Sequence, residues 1–214
     1  MLFRGAVFDL DGVIVCTDKY HFLAWKELAD REGIYFDEKI NERLRGVSRM
    51  QSLEIILERA GRAYTEEEKN RMAEEKNSRY RELIAGITPA ELLPGVLSLF
   101  DFLKKKGIGI ALGSSSKNAK PILGSLGIAD RFDAVVDGND IQRSKPDPQV
   151  FSLAAERLGL PADECFVFED AEGWLLAGKR AGMKTAAVGA AGGGPLADYS
   201  LRDLADARVY DIFA

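Results

Sequence analysis

Beyond Pro94-Gly95, short apolar runs alternate with amphipathic stretches, and no other feature of the sequence limits the possible folds so tightly. A helical stretch near residues 96–106 precedes the run Ile108–Leu112, and another near 117–125 precedes Ala134–Val136. Asp147-Pro148 opens a third helix, with proline in its first turn. Cys165–Phe168 and Thr185–Val188 are two more apolar runs, separated by a helix from about 171. Strands separated by helices predict a parallel sheet covered on both faces. Residues 2–8 form one further strand, but the segment after it offers no partner, because most of 14–90 reads as helix. The strand is therefore expected to join the later sheet. The fold class is α/β: a Rossmann-like parallel core from residues 1–15 and 92–214, with an inserted all-helical cap over 16–91.

Local signals support the cap. Asp18 is expected to cap a helix carrying Phe22, Trp25, Leu28 and Ala29 on one face. Ser48 with Gln51 forms a capping box ahead of Leu53, Ile56 and Leu57, and Gly61 ends that run. Thr65 with Glu68 repeats the device before a charged helix reaching about Ile84. The Gly-rich stretch Ala190–Pro195 reads as an irregular loop.

Composition narrows the functions. A chain of 214 residues can bury one core and carry a modest second unit. Its net charge of −5 argues against non-specific nucleic-acid binding. No apolar stretch approaches membrane-spanning length. Acidic residues directly follow the first apolar run, unlike a secretory signal. With Cys16 and Cys165 as the only thiols, a disulfide scaffold is excluded and a cytoplasmic protein is expected.

Reactive groups in an open parallel sheet gather at the C-terminal ends of its strands. Here those ends carry Asp9-Leu10-Asp11-Gly12, Gly113-Ser114-Ser115-Ser116, Ser144-Lys145-Pro146-Asp147 and Glu169-Asp170. Four carboxylates, a hydroxyl and an ammonium are expected around one point. A carboxylate can attack phosphorus to form an aspartyl-phosphate, and Mg²⁺ bridges carboxylates to phosphate. Lys145 and a serine can hold phosphoryl oxygens, and a second acid can protonate the leaving oxygen.

In order and spacing these four clusters resemble the haloacid-dehalogenase-like superfamily of phosphotransferases. The resemblance implies that Asp9 is the nucleophile. Asp11 would be the general acid/base, also offering Mg²⁺ its backbone carbonyl. Ser114, Ser115 and Lys145 would bind phosphate, and Glu169 and Asp170 would complete the metal site. One branch, the β-phosphoglucomutases, is similar through Tyr20-His21-Phe22 with Trp25, Arg45-Gly46-Val47-Ser48-Arg49 with Ser52, Lys76-Asn77, and Ser116-Lys117-Asn118. That likeness implies interconversion of β-glucose 1-phosphate and glucose 6-phosphate, with glucose 1,6-bisphosphate as intermediate and activator, by a monomer whose partner is a sugar phosphate.

A mutase must hold two phosphates. By the same resemblance Arg49, with the amides of Gly46 and Val47, would take the remote one. Lys117 and Asn118 would contact that phosphate or the sugar. Thr17, His21, Trp25, Ser48, Ser52, Lys76 and Ser116 would complete the substrate site, with His21 and Lys76 coupling cap closure to the positioning of Asp11. A sugar-phosphate phosphatase and a catalytically weakened sugar-phosphate binding protein are the alternatives. Two positions depart from the family pattern. Cys16 replaces an acidic residue and reads as a small packed side chain. Gly173-Trp174 places an indole where small residues are usual, so the ring is expected either to crowd the helix or to reach the surface.

Overall fold

The computed structural model describes residues 3–44, 47–189 and 194–214. Arg45, Gly46 and Ala190–Gly193, named above, lie outside the described residues. The chain divides into two compact units, Met1–Cys16 with Ile87–Ala214, and Thr17–Gly86.

The first unit holds a six-stranded sheet. Its strands are β1 (Gly5–Phe8), β2 (Gly109–Gly113), β3 (Ala134–Val136), β4 (Cys165–Glu169), β5 (Lys184–Val188) and β6 (Tyr199–Leu201). They lie in the order β3-β2-β1-β4-β5-β6 and every pairing is parallel. The N-terminal strand sits at the centre, between β2 and β4. Because side chains alternate across a strand, each register row faces one layer of helices. Val7 and Val167 are paired, and they share a core with Val150, Phe151 and Ala154 of α7 (Gln149–Leu158) and Ala177 of α8 (Glu172–Arg180). One residue on, Phe8 stacks on Phe168 at 4.7 Å and meets Phe100 of α5 (Val96–Lys106) at 5.1 Å. The remaining helix of this unit is α6 (Ala119–Ser125).

Two expectations change in this unit. Pro148 is the residue before α7 rather than part of its first turn, and the Asp147 carboxylate accepts from the amide of Gln149 at 2.9 Å. Cys16 is exposed, not packed.

The second unit is helical: α1 (Asp18–Arg31), α2 (Glu38–Glu42), α3 (Arg49–Leu57) and α4 (Glu66–Ile84). Both capping boxes form, at Ser48/Gln51 and Thr65/Glu68. The helix expected to be capped by Asp18 is preceded instead by Thr17, and Asp18 becomes its first residue. A carboxylate there still favours the positive end of the helix dipole. The core of this unit joins Trp25, Leu28 and Ala29 of α1, Leu53 and Ile56 of α3, and Met72 and Ala73 of α4. Among the described residues no helix is long and apolar enough to cross a membrane.

Candidate active site

The strand order reverses beside β1, where a crevice opens at the carboxyl ends of a parallel sheet. Asp9 follows β1 directly, its amide donating to the Phe168 carbonyl at 3.0 Å, so β1 and β4 deliver Asp9 and Glu169 side by side. Asp9, Glu169 and Asp170 place carboxylate oxygens within 4.8 Å of one another. The carboxylate of Asp11 is not one of these three. Gly12 makes the approach possible: it has φ +77°, and a Cβ there would lie 2.1 Å from an oxygen of Asp170.

Lys145 is buried among these acids. Its Nζ donates to Asp9 Oδ1 at 2.6 Å and also to Glu169 Oε1. Burial works against its charge, but the two carboxylates prevail and push Lys145 up to about 12. Glu169 is pushed up to about 8, by burial first and by the like charges of Asp9 and Asp170, against the pull of Lys145. One ammonium among three acidic side chains, two of them buried, leaves more acid than base in the cluster. Oxygen-only donors with that excess suit a hard divalent cation such as Mg²⁺, so the residues present fit the ion.

Opposite this acid cluster, beyond the end of β2, Ser114 through Asn118 form a tight turn. The Ser114 hydroxyl accepts from the Ser116 amide at 3.1 Å, and the Ser116 hydroxyl accepts from the Asn118 amide at 3.2 Å. Asn139 Nδ2 donates to the Lys117 carbonyl at 3.0 Å. The Ser115 hydroxyl oxygen is buried without a hydrogen-bond partner among the described residues, an arrangement a ligand oxygen would satisfy.

The helical unit gathers a second set. Lys76 Nζ lies 2.8 Å from His21 Nδ1 and over the rings of Trp25 and Tyr80, at 4.7 and 4.9 Å from their centroids. The His21 ring stacks on Tyr80 at 4.1 Å, and Tyr80 Oη donates to Thr17 Oγ1 at 3.2 Å. Burial, helped by the charges of Lys76 and Arg49, holds His21 well below its usual range. A neutral ring lets Nδ1 accept from Lys76. Burial and then Arg49 bring Lys76 down to about 7. Ser52 is buried nearby in sequence on α3, whereas Val47 is exposed. Arg49 is the first residue of α3, not a loop residue, and its guanidinium pairs with Glu74 at 2.8 Å.

Tyr80 was not singled out from the sequence. The signal was present, since Met72, Ala73, Lys76, Tyr80 and Ile84 form one buried stripe of α4. A lysine and a tyrosine on an otherwise apolar helix face mark a polar cluster rather than a solvated surface.

The parallel sheet thus carries, at the carboxyl ends of its central strands, a buried aspartate–lysine–glutamate cluster. The family model for haloacid dehalogenase-like hydrolases matches residues 3–182, and the chain belongs to that family. It is 45% identical over 207 residues to the β-phosphoglucomutase of Bacillus subtilis (strain 168), covering 95% of this chain and 91% of the relative. It is 32% identical to the phosphorylated carbohydrates phosphatase of Thermotoga maritima, over 85% of this chain and 82% of that protein. The crystal structure of β-phosphoglucomutase from Clostridium difficile superposes with a TM-score of 0.88 at 39% identity, covering 99% and 97% of the two chains.

Proposed function

We propose that this protein is a β-phosphoglucomutase, interconverting β-glucose 1-phosphate and glucose 6-phosphate. The observation that carries the reading is the 45% identity to the Bacillus subtilis mutase across 95% of the chain. Physical support comes from a separate group of basic side chains, His21, Lys76 and Arg49, on a different unit from Asp9.

In this reading Asp9 carries the phosphoryl group. A carboxylate oxygen of Asp9 attacks phosphorus, the bond from phosphorus to the sugar oxygen breaks, and that oxygen leaves with a proton from Asp11. In the return step Asp11 takes the proton from the attacking sugar hydroxyl and the phosphoryl group leaves Asp9. The order matters: phosphorylated Asp9 first passes its group to the 6-hydroxyl of β-glucose 1-phosphate, giving glucose 1,6-bisphosphate. Asp9 then takes the 1-phosphate back and releases glucose 6-phosphate. Lys145, Ser114 and Ser115 hold phosphoryl oxygens. The Asp9 side chain, the Asp11 carbonyl, Glu169 and Asp170 would hold Mg²⁺, which when bound neutralises charge on the transferring group. Arg49 takes the remote phosphate, and Lys117 and Asn118 contact that phosphate or the sugar. Thr17, His21, Trp25, Ser48, Ser52, Lys76 and Ser116 line the sugar site.

Arg49→Ala tests the division of labour. Loss of the remote-phosphate contact should raise KM for β-glucose 1-phosphate about tenfold or more, as expected for a charge-assisted pair. Phosphorylation of Asp9 by a small donor such as acetyl phosphate should continue. Unchanged mutase kinetics in that variant would remove Arg49 from the site.

A second reading, a sugar-phosphate phosphatase, is favoured by the likeness to the Thermotoga maritima phosphatase. It predicts inorganic phosphate as the product in place of glucose 6-phosphate.

A further inference from the structure

Trp174 does not point wholly outward. It is half-buried in the first turn of α8, with its ring over the ammonium of Lys145 at 5.2 Å from the centroid. Phe151, from the first turn of α7, presents its ring to the same ammonium at 4.9 Å. The Lys145 side chain is only 2% exposed. Gly113, at the end of β2, gives Phe151 its place: a Cβ there would lie 2.9 Å from that ring.

The lysine thus has two kinds of partner, the carboxylates of Asp9 and Glu169 and the faces of two aromatic rings. The two kinds respond differently to a ligand. Asp9 and Glu169 would also serve the phosphoryl group and the cation, so their hold on Lys145 is shared when these arrive. An aromatic face attracts an ammonium through its quadrupole, more strongly when water is excluded, and carries no charge for an incoming group to compete for. A ring on each of two helices keeps the cation in place while its ionic partners turn to other tasks.

We propose that Trp174 is a positioning residue for phosphoryl transfer, its indole and the Phe151 ring forming an aromatic clamp that holds Lys145 beside Asp9. The role rests on the phosphoryl-transfer reading above, and it is exerted through Lys145, without contact between the indole and the sugar. Leucine and phenylalanine are both smaller than the indole and closer to each other in bulk, but leucine lacks the π face that phenylalanine keeps.

The test compares wild type with Trp174→Phe and Trp174→Leu, each checked for a cooperative thermal transition. Two quantities are read: kcat and KM for β-glucose 1-phosphate, and calorimetric affinity for beryllium fluoride with Mg²⁺, a phosphoryl mimic. Trp174→Leu should lose about tenfold in kcat and in mimic affinity, in keeping with a desolvated cation–π contact. Its KM for the sugar phosphate should stay within about twofold, and Trp174→Phe should retain most of both quantities. A leucine variant equal to wild type in mimic affinity, or a phenylalanine variant as damaged as leucine, overturns the clamp. So does a loss that follows thermal stability rather than ring type, or a wild type that binds no mimic. Should mimic affinity fall in the order Trp, Phe, Leu while none of the proteins isomerises sugar phosphate, the clamp stands and the mutase reading falls.

Discussion

Gly12 illustrates how one backbone position decides whether the acid cluster can exist. Its φ of +77° is open to glycine and costs other residues, and the space a Cβ would need is filled by the carboxylate of Asp170. Gly12→Ala therefore combines left-handed backbone strain with displacement of a side chain from the acid cluster. A stability loss of about 2–4 kcal/mol is expected, together with weaker Mg²⁺ binding by calorimetry. Wild-type stability and metal affinity in that variant would contradict the geometry. At this scale the sequence was informative where chemistry follows a strand end: Asp9, Lys145, Glu169 and Asp170 meet as their positions suggested. It was less informative where a side chain's surroundings come from distant elements. The Arg49–Glu74 pair spans 25 residues, and the exposure of Cys16 follows from packing that no local pattern encodes.

Among the elements, α4 carries the sharpest physical consequence. Its N-terminal capping box was legible because it depends on residues three apart, and the same holds for α3. Ser48→Ala should cost about 1 kcal/mol in chemical denaturation, and no loss would mean the cap contributes nothing. Burial of Lys76 was harder to see in a helix otherwise so rich in charge. With the folded-state value brought down to about 7 from the usual 10.5, the unfolded chain binds a proton between these pH values that the folded chain does not. Stability contributed at this site thus rises as pH rises from 7 to 10.5, and is lost as pH falls through 7. Lys76→Met should flatten that slope and raise stability at neutral pH, as read from denaturation midpoints across the window. A variant whose slope matches wild type would show that Lys76 keeps its ordinary titration. The short strand β6 escaped the sequence reading for a related reason. Its three residues, Tyr-Ser-Leu, carry too little pattern to stand alone, and only pairing with β5 makes them a strand.

For the whole molecule, the placement of β1 matters most. A strand separated from β2 by a helical unit takes the centre of the sheet, and it brings Asp9 next to Glu169 from the far end of the chain. That arrangement was legible because β1 had nowhere else to pair, and because alternation of strand and helix leaves few alternatives. In the proposed reading, phosphoryl transfer rests on this core and its direction on residues of the helical unit. The two assignments meet in a single experiment. Phosphorus NMR of β-glucose 1-phosphate with Mg²⁺ and a trace of β-glucose 1,6-bisphosphate should show the substrate resonance replaced by that of glucose 6-phosphate. Little inorganic phosphate should appear, and Asp9→Asn should show no conversion. Inorganic phosphate as the main product, or an unchanged spectrum with the wild-type protein, would contradict the account.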